Sequence, residues 1–133
     1  MIKNLPISAR RLDKIAHDIV SKESGDFVIF YDVSGPSKRF QGRVRGRCTL
    51  EAKAKDTVIT IYLKHKRLKT RRDVLGVMVH ELAHHMVFRC SRAMDRYYRP
   101  HGPVFNVWVG ILIERLKNRG MHVYIEDAIG YTE

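Results

Sequence analysis

The chain has 133 residues, a hydrophobic fraction of 44% and a formal net charge of +11. That length and apolar content suit a single globular domain, 1–133, with a core of its own, and we see no repeat, low-complexity segment or linker to divide it. The longest uninterrupted apolar run, VWVGILI, is far too short to span a bilayer, and MIKNLPISARR has no apolar stretch of signal-peptide length, so we expect a cytoplasmic or nucleoid-associated protein, not secreted and with no membrane partner.

In chain order, residues 8–23 carry Leu12, Ile15, Ala16, Ile19 and Val20 as a helical stripe, with Ser8 as N-cap and Gly25 as stop. FVIFYDV reads as a strand that ends at the Ser34-Gly35-Pro36 turn. QGRVRGRCTLEA alternates over part of its length and reads as a second strand, and TVITIYL, rich in β-branched residues, as a third. Thr70 and Asp73 form a capping-box-like start for a helix over about 71–89, with Val74, Leu75, Met78, Leu82 and Met86 at spacings of three and four. Pro103 suits the first turn of a further helix, VFNVWVGILIERL, which is apolar almost all round, as a buried helix would be, and Gly120 suits its C′ position. MHVYIE reads as a short fourth strand. The expected class is α+β, a short, mostly antiparallel sheet packed against helices. Cys48 and Cys90 make no metal pair by spacing; a disulfide between them is the alternative, without support in the sequence, and in the expected compartment both are free thiols.

The chemistry concentrates in VMVHELAHH. His80 and His84 are four apart, so on a helix they lie one turn apart on one face and can bind one metal ion from the same side. Glu81 leans beside that pair and can reach a water on the metal without being a ligand. This is the H-E-x-x-H arrangement of zinc hydrolases. His85 turns about 100° away from that face and reads as a supporting or packing residue.

A catalytic zinc typically has three protein ligands and a water. The candidates for the third are Asp95, His101, Glu114, His122, Glu126 and Asp127. His101 is the best of them, because Pro103 places it at the mouth of the second buried helix. The positive end of that helix disfavours imidazolium, and a metal needs the neutral ring. The expected cofactor is one Zn2+ ion held by His80, His84 and His101, with Glu81 as general base. Tyr97, Tyr98, Tyr124 and His122 are the candidates for stabilising the oxyanion.

HELAHH followed by HGPVF resembles the SprT-like zinc metallopeptidases, which include Spartan-type proteases. Their signature pairs HExxH on one helix with a later His-Gly-x-x-Phe at the start of another. The likeness covers roughly residues 55–118, and two short motifs carry nearly all of it. It implies a small zincin-like domain, with His80, His84 and His101 as zinc ligands and Glu81 as base. It also implies that the strand before the active helix, here TVITIYL, pairs by main-chain hydrogen bonds with an extended protein substrate; an internal strand with no open edge is the alternative. The 16-residue spacer between His84 and His101 is not set by the motif. Many members carry a C-terminal zinc ribbon with four cysteines; this sequence has none.

The charge is unevenly placed. Residues 38–72 hold 13 of the 25 basic residues and only Glu51 and Asp56 as acids, while the remaining 98 residues hold equal numbers of each sign. Arg43, Arg45 and Arg47 alternate with Val44, Gly46 and Cys48 and would share one face of a strand. Lys64, Lys66, Arg67, Lys69, Arg71 and Arg72 then lead into the metal helix. Charge runs are usually solvated surface, but clustering at a pI near 10.0 is the footprint of nucleic-acid binding. Spartan-type members act on proteins bound or crosslinked to DNA, so the expected partners are a protein substrate and DNA, with RNA as the alternative. Two other readings compete with a metallopeptidase: another zinc hydrolase acting on nucleic acid, and a non-catalytic DNA-binding module that keeps zinc for stability. Glu81 argues against the last, since a structural site has no use for a base there.

Overall fold

The computed structural model describes residues 7–20, 27–32, 46–51, 56–62, 68–90 and 101–129. Helix α1 (Ala9–Ile19) begins at Ser8, whose hydroxyl accepts from the Arg11 N–H at 3.2 Å. It buries Leu12, Ile15, Ala16 and Ile19 and ends at Val20, short of the expected 8–23. Gly25 lies outside the described residues. What holds the end of α1 is distant in sequence: Arg115 donates to the Ile19 carbonyl and Arg119 to the Asp18 carbonyl, each at 2.8 Å. These guanidinium groups satisfy carbonyls that a helix leaves without intrahelical donors.

Three described strands form one sheet in the order β1-β3-β2: β1 (Phe27–Asp32), β2 (Gly46–Glu51) and β3 (Asp56–Tyr62). β1 runs parallel to β3, from Phe27 opposite Thr57 to Asp32 opposite Tyr62. β2 runs antiparallel to β3, from Gly46 opposite Ile61 to Glu51 opposite Asp56. The sheet is therefore mixed, not mostly antiparallel. The near-continuous apolar run of β1 is what a parallel strand looks like. β3 is the central strand, paired on both sides, which corrects the expectation that TVITIYL offers its edge to a substrate. Among the described strands the edges are β1 and β2, and β2 also packs against α2. On β3, Ile59 and Ile61 are fully buried against the helices and Thr60 between them is not.

Helix α2 (Arg71–Cys90) starts with the expected reciprocal cap. The Thr70 N–H donates to the Asp73 carboxylate at 2.9 Å, and the Asp73 N–H donates to the Thr70 hydroxyl at 3.1 Å. Every residue from Val74 to Ala83 is buried. α2 is thus the central element, packed against β2, β3, α1, α3 and the last described turn, 125–128. Helix α3 (Pro103–Lys117) buries one stripe only, Phe105, Val109, Leu112 and Leu116, and leaves Val107 60% exposed. The expected roles of these helices are reversed: the striped one is enclosed, and the uniformly apolar one is half in solvent. Enclosure depends on how many elements surround a helix, which its own periodicity does not report. α3 ends where Gly120, at φ 77°, donates to the Lys117 carbonyl and Met121 donates to the Leu116 carbonyl. Those are the two bonds of a Schellman motif.

MHVYIE is not a strand. The chain runs without regular structure to Tyr124 and then makes one helical turn, α4 (Ile125–Ala128). The Asp127 carboxylate accepts from the Tyr124 N–H at 2.9 Å, an option that the alternation of Val123 and Ile125 does not reveal. Val123 and Ala128 anchor the turn in the core. No described helix is long and apolar enough to cross a membrane.

The turn lies against Gly76 of α2. A Cβ there would sit 2.4 Å from the Asp127 carbonyl oxygen and 2.7 Å from its carbon. Gly110 of α3 has nothing within 4 Å of its Cβ position. Gly76→Ala should therefore destabilise the fold by about 1–3 kcal/mol, whereas Gly110→Ala should stabilise it by about 0.5–1 kcal/mol through helix propensity alone. Urea unfolding of the two variants checks this; effects of the same sign would contradict the packing described.

Candidate metal centre

α2 carries His80, Glu81 and His85 into the core at 1%, 0% and 0% exposure. His84, one turn beyond His80, is half-buried. The third imidazole arrives from the start of α3. His101 precedes the N-cap Gly102 and has φ 64°, a left-handed conformation. A non-glycine residue pays about 1 kcal/mol for it, although His adopts it more readily than most. The strain turns the chain so that Pro103 can open α3 while the ring faces α2.

The three rings meet at one point. His101 Nε2 lies 3.2 Å from His80 Nε2 and 3.2 Å from His84 Nε2. A tetrahedral ion with bonds of about 2.0–2.1 Å to nitrogen sets its ligand atoms about 3.3–3.4 Å apart, so the spacing fits. His80 Nδ1 lies 2.6 Å from the Ala128 carbonyl oxygen, which can only accept. Nδ1 therefore carries the proton, and in the neutral ring Nε2 keeps its lone pair for the shared point. Phe105, fully buried, lies beneath all three rings, with centroids 5.0, 4.7 and 5.0 Å from those of His80, His84 and His101. The Phe of HGPVF is thus the apolar floor of the cluster. Among the described residues this is the group of side chains that could hold a metal ion. Glu81 Oε1 is 3.8 Å from His80 Nε2, beside the point of convergence.

The other candidates lie elsewhere. Glu114 is exposed on α3, and His122 and Glu126 are exposed at or near α4. Asp127 is 3.2 Å from Arg72 Nε. His122 borders a groove of about 260 Å³ with Arg71 and Arg72, about two turns of α2 from His80. Tyr124 lies beneath the Arg72 guanidinium, 5.1 Å from ring centre to Cζ, which occupies one oxyanion candidate. Asp95, Tyr97 and Tyr98 lie outside the described residues. Of the basic set, Lys69, Arg71 and Arg72 are exposed. Arg71 also reaches Met121 Sδ at 3.8 Å, and Arg72 is engaged by Asp127 and Tyr124, so neither is wholly given to solvent. Arg47 lies on β2, and Arg43, Arg45, Lys64, Lys66 and Arg67 lie outside the described residues. Sequence reasoning missed Gly76, Ala128 and the part played by Phe105. The four-residue spacing of Arg72, Gly76 and His80 was the available signal for Gly76; a backbone carbonyl such as that of Ala128 leaves none.

The SprT-like family model matches residues 11–122. The chain belongs to the SprT-like family, whose members are generally zincin-like metallopeptidases. A comparison with curated proteins found no match.

His85 faces away from the cluster. Burial, then Arg89, then His17, lower its pKa from 6.5 to about 4. Above pH 6.5 the ring is neutral in both folded and unfolded chains. As pH falls from 6.5 towards 4, the unfolded chain takes up this proton and the folded chain does not, so stability is lost by up to about 3 kcal/mol. Subtracting the stability–pH curve of His85→Asn from that of the wild type cancels the other histidines. The difference should slope across that window; parallel curves would show that His85 is not held neutral.

Proposed function

We propose that the protein is a zinc-dependent metallopeptidase. The observation that carries this reading is the convergence of three imidazole Nε2 atoms beside a buried glutamate. Three neutral imidazoles suit zinc, and the family supports the same choice. When bound, zinc would lower the pKa of a water and polarise a peptide carbonyl. His80, His84 and His101 would hold the ion from two helices. Glu81 would take a proton from the attacking water as its oxygen bonds to the carbonyl carbon, and return that proton to the amine as the C–N bond breaks. An extended substrate would pair with a strand edge, and β2, which packs against α2, is the described edge nearest that helix.

Glu81→Gln should keep the fold and the zinc but lose about 10²–10⁴-fold in peptide hydrolysis. His101→Ala should lose zinc itself, by metal analysis after dialysis. Unchanged turnover in Glu81→Gln, measured on an unstructured protein, would remove the base from Glu81. Full zinc occupancy in His101→Ala would move the third ligand elsewhere.

The charge placement supports a further part of the proposal, that the substrates are proteins associated with DNA. The basic segment 38–72 runs into the first turn of the metal helix and carries the whole excess charge. Contacts to phosphates would bind without base specificity. Charge reversal at Arg43, Arg45 and Arg47 should weaken binding to all sequences alike and reduce the salt slope by about 2–3. The DNA reading fails if the wild type shows no salt-sensitive binding to single- or double-stranded DNA, or to RNA, at low ionic strength.

A further inference from the structure

Arg72, Gly76 and His80 recur every four residues along one side of α2, and all three meet the same short segment. Arg72 Nε is 3.2 Å from the Asp127 carboxylate, and its guanidinium covers the Tyr124 ring. Gly76 has no Cβ where one would strike the Asp127 backbone. His80 donates from Nδ1 to the Ala128 carbonyl. Inside the segment the same Asp127 carboxylate accepts from the Tyr124 N–H, and Ile129 N–H closes the turn on Ile125. The turn lies beyond the residues that match the family model.

A carbonyl fixed at 2.6 Å from Nδ1 does two things for the ring. It allows one tautomer only, and it makes the opposite nitrogen a stronger electron donor. The carbonyl belongs to the backbone, so its position depends wholly on what holds the turn. The ion pair with Arg72 grips one side of it, and the missing Cβ at Gly76 sets how close it comes.

We infer that the turn Ile125–Ala128 is a positioning element for the metal ligand His80, with Asp127, Arg72 and Gly76 as its positioning residues. Asp127 locks the turn to α2, Gly76 admits it, and the Ala128 carbonyl then sets the orientation and tautomer of His80. This rests on the reading of His80, His84 and His101 as a metal site.

The test uses the full-length zinc-loaded protein and two measurements: zinc affinity by competition with a chelator, and long-range proton–nitrogen NMR of the His80 ring. In the wild type, Nδ1 should carry a proton protected from exchange. Asp127→Ala should weaken zinc binding by about 10- to 100-fold and remove that protection, and Gly76→Ala should do the same. Glu126→Ala removes the same charge from an exposed position on the same turn and should change neither readout. Should Gly76→Ala fail to fold, the half-exposed pair is tested from its other side with Arg72→Met, which should match Asp127→Ala in direction. Zinc affinity within about threefold of the wild type in Asp127→Ala, with Nδ1 still protected, would overturn the inference and leave the metal site standing. A wild type that binds no zinc would overturn the metal site and the inference together.

Discussion

A helix whose middle, Val74 to Ala83, is enclosed and which buries two of its three histidines and a glutamate sets the terms for everything around it. Burying a polar side chain without a partner costs roughly 1–3 kcal/mol, and more for a charge. α2 meets this by making His80 part of an ordered structure: one ring nitrogen bonds the Ala128 carbonyl and the other faces His101. His85 meets it by remaining neutral. Small residues make the enclosure possible, and Gly76 is the clearest case, since the last turn rests where its side chain would be. The left-handed backbone at His101 and the ring of Phe105 follow from the same demand. A third imidazole has to reach a buried point from a different helix, and something apolar has to fill the space beneath it.

The parts of this arrangement that were legible in the sequence are those written in side chains at short range. The spacing of His80 and His84 needs only a helix, and Thr70 with Asp73 marks where that helix starts. Pro103 marks the start of α3, which is why His101 could be placed at its mouth. Ser8 and Gly120 acted as cap and stop because their chemistry is local. These features share one property: each residue's neighbours within four positions decide its role.

What could not be read depends on partners far along the chain. The order of strands is one such case. TVITIYL has the same β-branched pattern whether it is an edge or a centre, and only pairing with both β1 and β2 makes it the centre. The enclosure of α2 and the half-exposure of α3 are another, since Val107 is as apolar as its buried neighbours. The carbonyl that orients His80 is the extreme case. Every residue has one, so nothing about Ala128 in the sequence distinguishes it. MHVYIE misleads for a related reason, because its alternation is real but Asp127 gives the backbone a nearer hydrogen-bond partner than a strand would.

The end of α1 shows what such distance means for the order in which the molecule forms. The two guanidinium groups that close it come from residues 96 and 101 positions later. Closing a loop of about 100 residues costs roughly 2 kcal/mol more in chain entropy than closing one of about 10. Contacts that span most of a chain also form late and slow the search. During synthesis from the N-terminus, α1 emerges long before the arginines that complete it. Its final carbonyls are left to water until α3 arrives, so a helix made early is among the last to be finished.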